Sequence, residues 1–502
     1  MTSSAPLIIV SLPGRSISEL RRQALLAHAA GADLAEVRVD RLTPEERSRL
    51  PELFPAPLPL IATLRSRAEG GEGVDAPDER ARQLLAAANL PFRWIDLEEA
   101  RDSALEGRLP PWSSLGRILS SHLPEGTAVT EALERLHRSA PAGCVRKVVV
   151  WATVGSLLHD VLPRLEPRAA TSIVVLTTGP SGGLLRAWSR RLGFPFVYAS
   201  PPGADARAPV DAVEPSQVPV DRLRPFFQGG DEAPIFAVTG HPVAHSQSPY
   251  LHSRWMRARR QTGLYISLDI SEETEFLDAL APLADRGFRG LNVTHPWKAV
   301  GLNAASRAAP GAARCGAANC LTFRDGEVEA ENTDLVAILR RLEEFRTRGS
   351  WDGRELAVVG AGGAAAATLA AAQELGVDAA VIARREDRAV TVARRFGAAV
   401  LSPNEARPFP LVVHATTAGR DPPIDLAIPL GPIVGPGTQV LDWVYSPTDP
   451  VIRRTTEQRG GQYEDGWRLL VYQAAASYGI WWGEEPDAEE IEAAIAEGPC
   501  TA

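Results

Sequence analysis

ELAVVGAGGAAAATLAAAQELGVDAAVIARR, residues 355–385, reads as strand, glycine turn, helix and strand in that order. An apolar β-rich run ends at Gly360, and an Ala-rich helical stretch begins after Gly362 and Gly363, with Ala361 and Ala364 beside them. Glycines at such a turn let backbone N–H groups approach a pyrophosphate, and the helix N-terminus favours its charge. The unit is one half of a doubly wound α/β nucleotide-binding fold. The second strand runs into Arg384 and Arg385, where an acidic residue would suit a free ribose hydroxyl. Two guanidinium groups suit a 2′-phosphate instead, so NADP is expected over NAD. A ligand-free tight turn and a solvated arginine pair would look the same locally.

Upstream of this unit lie polar clusters that composition does not explain. GHPVAHSQSP (240–249) places Ser246 and Ser248 in a Pro-bounded loop after the strand IFAVTG. GLNVTHPWK (290–298) places Asn292, Thr294 and Lys298 after a second strand, while AANC (317–320) and ENTD (331–334) add Asn319 and Asp334. Singly, each residue could cap a helix or a turn. Together they offer hydroxyls, amides, one amine and one carboxylate, an inventory suited to a small polyhydroxylated ring bearing a carboxylate.

These motifs, DWVYSP (442–447) and DGWRLLVYQAAASYGIWWG (465–483) resemble the shikimate dehydrogenase family over about 233–490. The resemblance implies that Lys298 and Asp334 are the catalytic pair. It implies a substrate shell of Ser246, Ser248, Asn292, Thr294, Asn319, Tyr445 and Gln473. Gly360, Ala361, Gly362, Gly363, Ala364, Arg384, Arg385 and Thr416 would hold the cofactor. Oxidising an alcohol by hydride transfer needs a proton acceptor beside the hydroxyl, which a lysine held by an aspartate can supply. The chain departs from the family pattern at four places: Ser253 stands for Asn, Cys320 for Thr, Ala383 and Arg385 flank the matching Arg384, and HATTAGR (414–420) replaces the usual Asn-Ala-Thr start and Gly-Met end.

The N-terminal half alternates β-rich runs with Ala/Leu/Arg-rich stretches of helical length. The runs are 7–12, 35–40, 58–64, 94–98, 117–122, 145–151, 172–178 and 196–200. Eight β/α units in about two hundred residues is the count of a (β/α)8 barrel, with an open sheet as the competitor. In AEVRVD (35–40), Glu36, Arg38 and Asp40 are expected on one strand face, which a barrel accommodates at its C-terminal mouth and an edge strand in solvent. Arg65 and Glu69 follow another strand, His122 ends a third, and Lys147 interrupts the apolar run VRKVVVW.

The ordered set EVRVD, R-x3-EGG, S-x-H and RKVVV resembles type I 3-dehydroquinate dehydratase over roughly 5–227. The resemblance implies that Lys147 forms a Schiff base with a substrate ketone and that His122 is the general acid/base, oriented by Glu69. It makes Arg186 the carboxylate ligand, with Glu36, Arg38 and Arg65 completing the polar mouth. An iminium is an electron sink, so an adjacent proton leaves more easily and elimination of water follows. The closing loop departs from the family's Ser-Ala-Pro-Gly-Gln, having Arg207, Val210 and Asp211 in RAPVD.

The expected architecture is thus α/β: an N-terminal (β/α)8 barrel (1–228), a dehydrogenase substrate lobe (233–335, completed by 467–490) and a Rossmann-like NADP lobe (336–466). Its expected substrates are 3-dehydroquinate, 3-dehydroshikimate and shikimate, and the two halves would run consecutive steps. The rival expectation is a working shikimate or quinate dehydrogenase carrying a weakened or scaffold-only barrel. At 502 residues the chain exceeds one ordinary domain, and 23% charged with 45% hydrophobic residues is typical of globular proteins. A net charge of −9 argues against nucleic acid or anionic membrane as partner. No leader is read at MTSSAPLIIV, no run approaches the roughly 20 apolar residues of a membrane span, and the four cysteines have neither CxxC spacing nor a disulfide framework. A cytoplasmic location is expected, and no metal site, since the nine histidines form no HExxH or His/Cys box.

Overall fold

The computed structural model describes residues 5–124, 129–139, 143–165, 172–203, 213–214, 216–402, 407–418, 430–445 and 451–499. The lid positions Arg207, Val210 and Asp211 lie outside the described residues, as do the last two residues of DWVYSP and of HATTAGR.

Eight strands build the first sheet: β1 (Leu7–Leu12), β2 (Leu34–Arg38), β3 (Leu60–Thr63), β4 (Trp94–Glu98), β5 (Gly116–Leu123), β6 (Val145–Trp151), β7 (Ile173–Thr178) and β8 (Phe196–Ala199). Their order is β7-β6-β5-β4-β3-β2-β1-β8, and every pairing is parallel. This is a nearly closed barrel. Among the described residues no ladder joins β7 to β8, which leaves a seam.

Helices wrap the outside because their buried positions recur at helical spacing. In Ile17–Ala29 the Ser16 side chain caps the N-terminus, and Ile17, Leu20, Ala24 and Ala27 turn inward.

Side chains alternate along a strand, so the barrel interior can be read strand by strand. Toward the C-terminal end its residues change from apolar to polar: Leu34–Glu36, Ile61–Thr63, Trp94–Asp96–Glu98, Ile118–Ser120–His122 and Val145–Lys147. The lower layers form an apolar plug with Ile9, Val174, Leu176 and Phe196. The upper layer collects ionisable groups, which need each other's hydrogen bonds to be buried. One sequence expectation changes here. β2 stops at Arg38, and Asp40 sits in the 3-10 turn Val39–Arg41, so it does not share the strand face with Glu36 and Arg38. Its carboxylate instead grips Arg38 through two bonds of 2.9 and 2.7 Å.

The helix Val220–Gln228 leads out of the barrel into a second sheet. It comprises β9 (Ile235–Gly240), β10 (Leu264–Asp269), β11 (Phe288–Val293), β12 (Arg307–Ala308), β13 (Cys320–Arg324) and β14 (Glu327–Glu331), ordered β10-β9-β11-β13-β14-β12. The third sheet comprises β15 (Glu355–Val359), β16 (Asp378–Ile382), β17 (Ala399–Val400), β18 (Leu411–His414), β19 (Gln439–Asp442) and β20 (Gln462–Glu464). It is wholly parallel, in the order β17-β16-β15-β18-β19-β20. That order reverses between β15 and β18, and doubly wound sheets bind ligands in the crevice at such a switch point. The helix Trp467–Trp482 then returns to the second sheet, where Ser477 bonds Asn292 of β11.

Alternation along β9 explains how the second sheet sits between two cores. Ile235 and Ala237 join an apolar cluster continuous with the barrel's outer wall, whereas Phe236 and Val238 join one shared with the third sheet. Among the described residues no helix is long and apolar enough to cross a membrane.

Candidate active sites

At the barrel mouth, β3, β4, β5 and β6 bring their polar residues into one network. Lys147 Nζ lies 2.5 Å from Asp96 Oδ2, and Arg65 Nη2 donates to Asp96 Oδ1 at 2.8 Å. Ser120 Oγ donates to the same Asp96 oxygen at 2.5 Å. Arg65 Nη1 also reaches Glu69 at 2.9 Å and Glu98 at 3.1 Å. Tyr198 roofs the amine, its ring centroid 4.6 Å from Lys147 Nζ. Burial alone would raise the Asp96 carboxyl pKa, but the charges of Lys147 and Arg65 outweigh it and hold the group down to about 2.

His122 Nδ1 stands 3.0 Å from Glu69 Oε2, and the His122 backbone N–H donates to the same oxygen at 3.3 Å. Burial, followed by the nearby cations Arg65 and Lys147, lowers the imidazole pKa well below its ordinary value. The ring is therefore neutral near pH 7 and can accept a proton. Burial raises the Glu69 carboxyl to about 7, although Arg65 opposes it.

The remaining barrel residues of the sequence reading divide by partner. Glu36 accepts from Ser11 at 2.7 Å and Thr63 at 2.8 Å, Arg38 is tied to Asp40, and Arg186 spans the seam between β7 and β8. Asp96, Glu98 and Tyr198 were not singled out from sequence. The signal for the first two is the alternation in WIDLE, identical in period to that in EVRVD.

The second site lies where β9, β11 and the helices Lys298–Ala304 and Thr333–Thr347 meet. Lys298 Nζ is 2.6 Å from Asp334 Oδ2, and Asn319 Nδ2 donates to Asp334 Oδ1 at 2.9 Å. Asn319 also touches Gln473 Oε1 at 3.4 Å and accepts from the Thr333 N–H at 2.6 Å. Asn292 accepts from Tyr265 Oη at 2.7 Å and donates to Ser477 at 2.8 Å. The Ser246 hydroxyl accepts from the Ser248 N–H at 3.3 Å, and the Tyr445 hydroxyl accepts from the Gln247 N–H at 3.4 Å. Thr294 anchors β11 to β9 through its N–H to Thr239 O at 2.8 Å. Tyr265, Thr333 and Ser477 are additions that the sequence reading missed. Ser477 lies one helical turn from Gln473, the available signal.

The glycine turn sits against this lysine. A Cβ built at Gly363 would lie 3.4 Å from Lys298 Cδ, while one at Gly362 would meet open space. Gly360 has φ +124°, and a Cβ there would come within 2.6 Å of Ala415 O, so the turn closes on the loop after β18. In that loop Thr416 Oγ1 is 2.6 Å from His414 Nε2, and His414 Nδ1 is 2.7 Å from Asp442 Oδ1. The open cradle over the N-terminus of the helix Gly363–Glu374 fits a dinucleotide pyrophosphate. Arg384 and Arg385 are both exposed at the end of β16, and Arg385 is paired with Asp387 at 2.7 Å.

Comparison with known proteins separates the same two halves. The family model for type I 3-dehydroquinase matches residues 8–228, and that for the shikimate dehydrogenase substrate binding domain matches 238–321. Shikimate dehydrogenase (NADP(+)) of Paracoccus denitrificans is 36% identical over 266 residues, 51% of this chain and 94% of the relative. The chloroplastic bifunctional 3-dehydroquinate dehydratase/shikimate dehydrogenase of Arabidopsis thaliana is 26% identical over 506 residues, 95% of this chain and 82% of the relative. Among solved structures, shikimate 5-dehydrogenase of Thermus thermophilus, in complex with NADP(H) and shikimate, is 31% identical, covering 53% of this chain and 99% of that one with a TM-score of 0.47. The chain belongs to the shikimate dehydrogenase family through its C-terminal half, and its N-terminal half is a type I 3-dehydroquinase domain.

Proposed function

We propose that the chain is a bifunctional enzyme that dehydrates 3-dehydroquinate to 3-dehydroshikimate and then reduces that product to shikimate with NADPH. One observation carries the reading: a single chain holds two hydrogen-bonded sets of ionisable groups suited to proton transfer, Lys147–Asp96 with His122–Glu69 in the barrel and Lys298–Asp334 beside the glycine turn.

In the barrel, the Lys147 amine adds to the substrate ketone and water leaves, forming an iminium. Neutral His122 takes the proton from the carbon next to that iminium and returns it to the departing hydroxyl. Arg186 meets the substrate carboxylate. Hydrolysis of the iminium regenerates Lys147. A barrel kept only as scaffold would not need its buried amine, carboxylates and imidazole arranged this way, so the rival reading is not favoured.

In the second site, Gly360–Gly363, Thr416 and Arg384 would hold NADPH, which when bound would supply a hydride to the ketone carbon. Lys298 gives a proton to the oxygen, and Asp334 orients the amine and offsets its charge. Asn292, Asn319, Gln473, Tyr445, Ser246 and Ser248 bind the ring hydroxyls and carboxylate. A cytoplasmic location is part of the reading, supported by Cys144, Cys315 and Cys320 being free, buried thiols.

The test is to mix pure protein with 3-dehydroquinate and NADPH while following dehydroshikimate and NADPH together. Wild type should consume NADPH after a lag. Lys147→Ala should abolish flux from dehydroquinate but keep reduction of added dehydroshikimate, and Lys298→Ala should accumulate dehydroshikimate. Wild-type flux in either variant would reject its role.

A further inference from the structure

The short helix Gly182–Trp188 faces two ways. Toward the barrel, Arg186 crosses the seam that lacks a ladder. Its Nε donates to Tyr198 O of β8 at 3.1 Å, and its Nη1 donates to Thr177 O of β7 at 2.9 Å and to Gly182 O. Three bonds thus use two of the three guanidinium nitrogens, and Nη2 makes none among the described residues. Burial leaves the guanidinium with little water and lowers its pKa to about 10, so an incoming carboxylate would find a strongly interacting cation.

The other side of the helix rests on the dehydrogenase half. Gly183 is packed on Ile266 of β10, so closely that an added Cβ would lie 3.2 Å from Ile266 Cδ1, 3.3 Å from its Cβ and 3.5 Å from its Cγ2. Trp188 is buried, donates its indole N–H to Arg286 O at 3.1 Å, and meets Phe288 of β11 edge-on at 6.2 Å. Nearby, the Gly155 N–H donates to Glu275 at 2.5 Å. β10 is the edge strand of its sheet, and the barrel covers that edge.

We infer that the dehydrogenase substrate lobe is a working part of the dehydratase site: by bearing on Gly183 and Trp188 it holds the Gly182–Trp188 helix, and with it Arg186, across the β7–β8 seam. In an ordinary closed barrel the missing ladder would fix these two strands. Here that constraint is replaced by one side chain and by packing from the neighbouring lobe. Gly183, Trp188 and Ile266 are positioning residues. The inference rests on the reading of Arg186 as the carboxylate ligand.

Full-length Gly183→Ala and Trp188→Phe variants test it. Alanine suits a helix better than glycine, so Gly183→Ala perturbs chiefly the contact with Ile266. Each variant should raise the KM for 3-dehydroquinate by about threefold to tenfold with kcat within about twofold, the pattern of weakened binding without lost chemistry. Borohydride labelling of Lys147 at saturating substrate and the dehydrogenase constants should be unchanged. Adding Ile266→Ala to Gly183→Ala removes two of the three close contacts and should restore much of the KM. Unchanged KM in folded Gly183→Ala and Trp188→Phe, or kcat and melting temperature falling along with affinity, would overturn the inference. If Gly183→Ala does not fold, Trp188→Phe decides alone. Arg186→Lys separates the two layers. Raised KM there with both positioning variants silent sinks only the inference, whereas wild-type KM there sinks the role of Arg186 and the inference with it.

Discussion

Glu69 sits among groups that pull its carboxyl in opposite directions. Burial and the charges of Glu98 and Asp96 favour the neutral form, while Arg65 and the His122 backbone N–H favour the ionised one; the balance is a pKa of about 7. A carboxyl whose pKa is raised in the folded protein binds its proton more tightly there than in the unfolded chain. Stability from this source is complete below the unfolded value of 4.5 and is lost as pH rises through about 7. The loss is at most about 3 kcal/mol by linkage. Replacing Glu69 with Gln removes the titration while keeping a hydrogen-bonding side chain. The melting temperature of Glu69→Gln should therefore gain on wild type as pH rises from about 5 to 8. His122 titrates in both proteins and is bonded to Glu69, so the difference reports the carboxyl together with its effect on the imidazole. A constant gap across that range would show that the carboxyl is not raised. For catalysis the same arrangement gives a neutral imidazole backed by a carboxyl near its midpoint, suited to moving one proton in each direction.

Elements set two adjacent arginines apart. β16 ends at Ile382, and the next helix, Glu386–Phe396, starts at once, so Arg385 falls at its N-cap within reach of Asp387. Two bonds of 3.2 and 2.7 Å hold Arg385 to that carboxylate, whereas Arg384 forms no ion pair among the described residues. Arg384→Ala should raise the KM for NADP by about tenfold or more while leaving that for NAD nearly unchanged, and Arg385→Ala should do less, as measured by coenzyme titration at saturating shikimate. Equal effects would mean that the Asp387 pair opens for the cofactor. Sequence showed both arginines but not this inequality, because it depends on how tightly the next helix starts. The same limit applies elsewhere. Glu36 and Arg38 of EVRVD and the lone lysine of VRKVVVW were legible because charges in short apolar runs are conspicuous, whereas the turn that takes Asp40 off the strand was not. Asp96 was not, since its meaning comes from Arg65 and Lys147, 31 and 51 residues away, converging on β4. His414 and Asp442, 28 residues apart, become a pair only when β18 and β19 lie side by side. Likewise the role proposed for Arg186 comes from resemblance, but the open seam it spans is a property of the sheet alone.

At the scale of the whole molecule, the substrate lobe is the shared wall of two cores. One apolar cluster runs from Ile8 and Leu12 of the barrel through Trp188 and Phe226 to Leu264, Phe276 and Leu291, while another joins Phe236 and Tyr265 to the helix Gly363–Glu374. β10 carries both: Leu264, Ile266 and Leu268 face the barrel cluster, and Tyr265 faces Asn292 in the dehydrogenase site. Separating barrel from lobe would expose buried surface on each at once, which ordinary linked domains avoid through small polar interfaces. The barrel and the substrate lobe should therefore unfold in one calorimetric transition. If shikimate is taken up at the proposed dehydrogenase site alone, a hundred times its Kd would add about 2.7 kcal/mol to the folded state. Under shared unfolding, that addition would also delay loss of dehydratase activity on heating, with shikimate held at the other site. Two resolved transitions, with shikimate moving one and the dehydratase decaying on the other, would show that the two cores part independently.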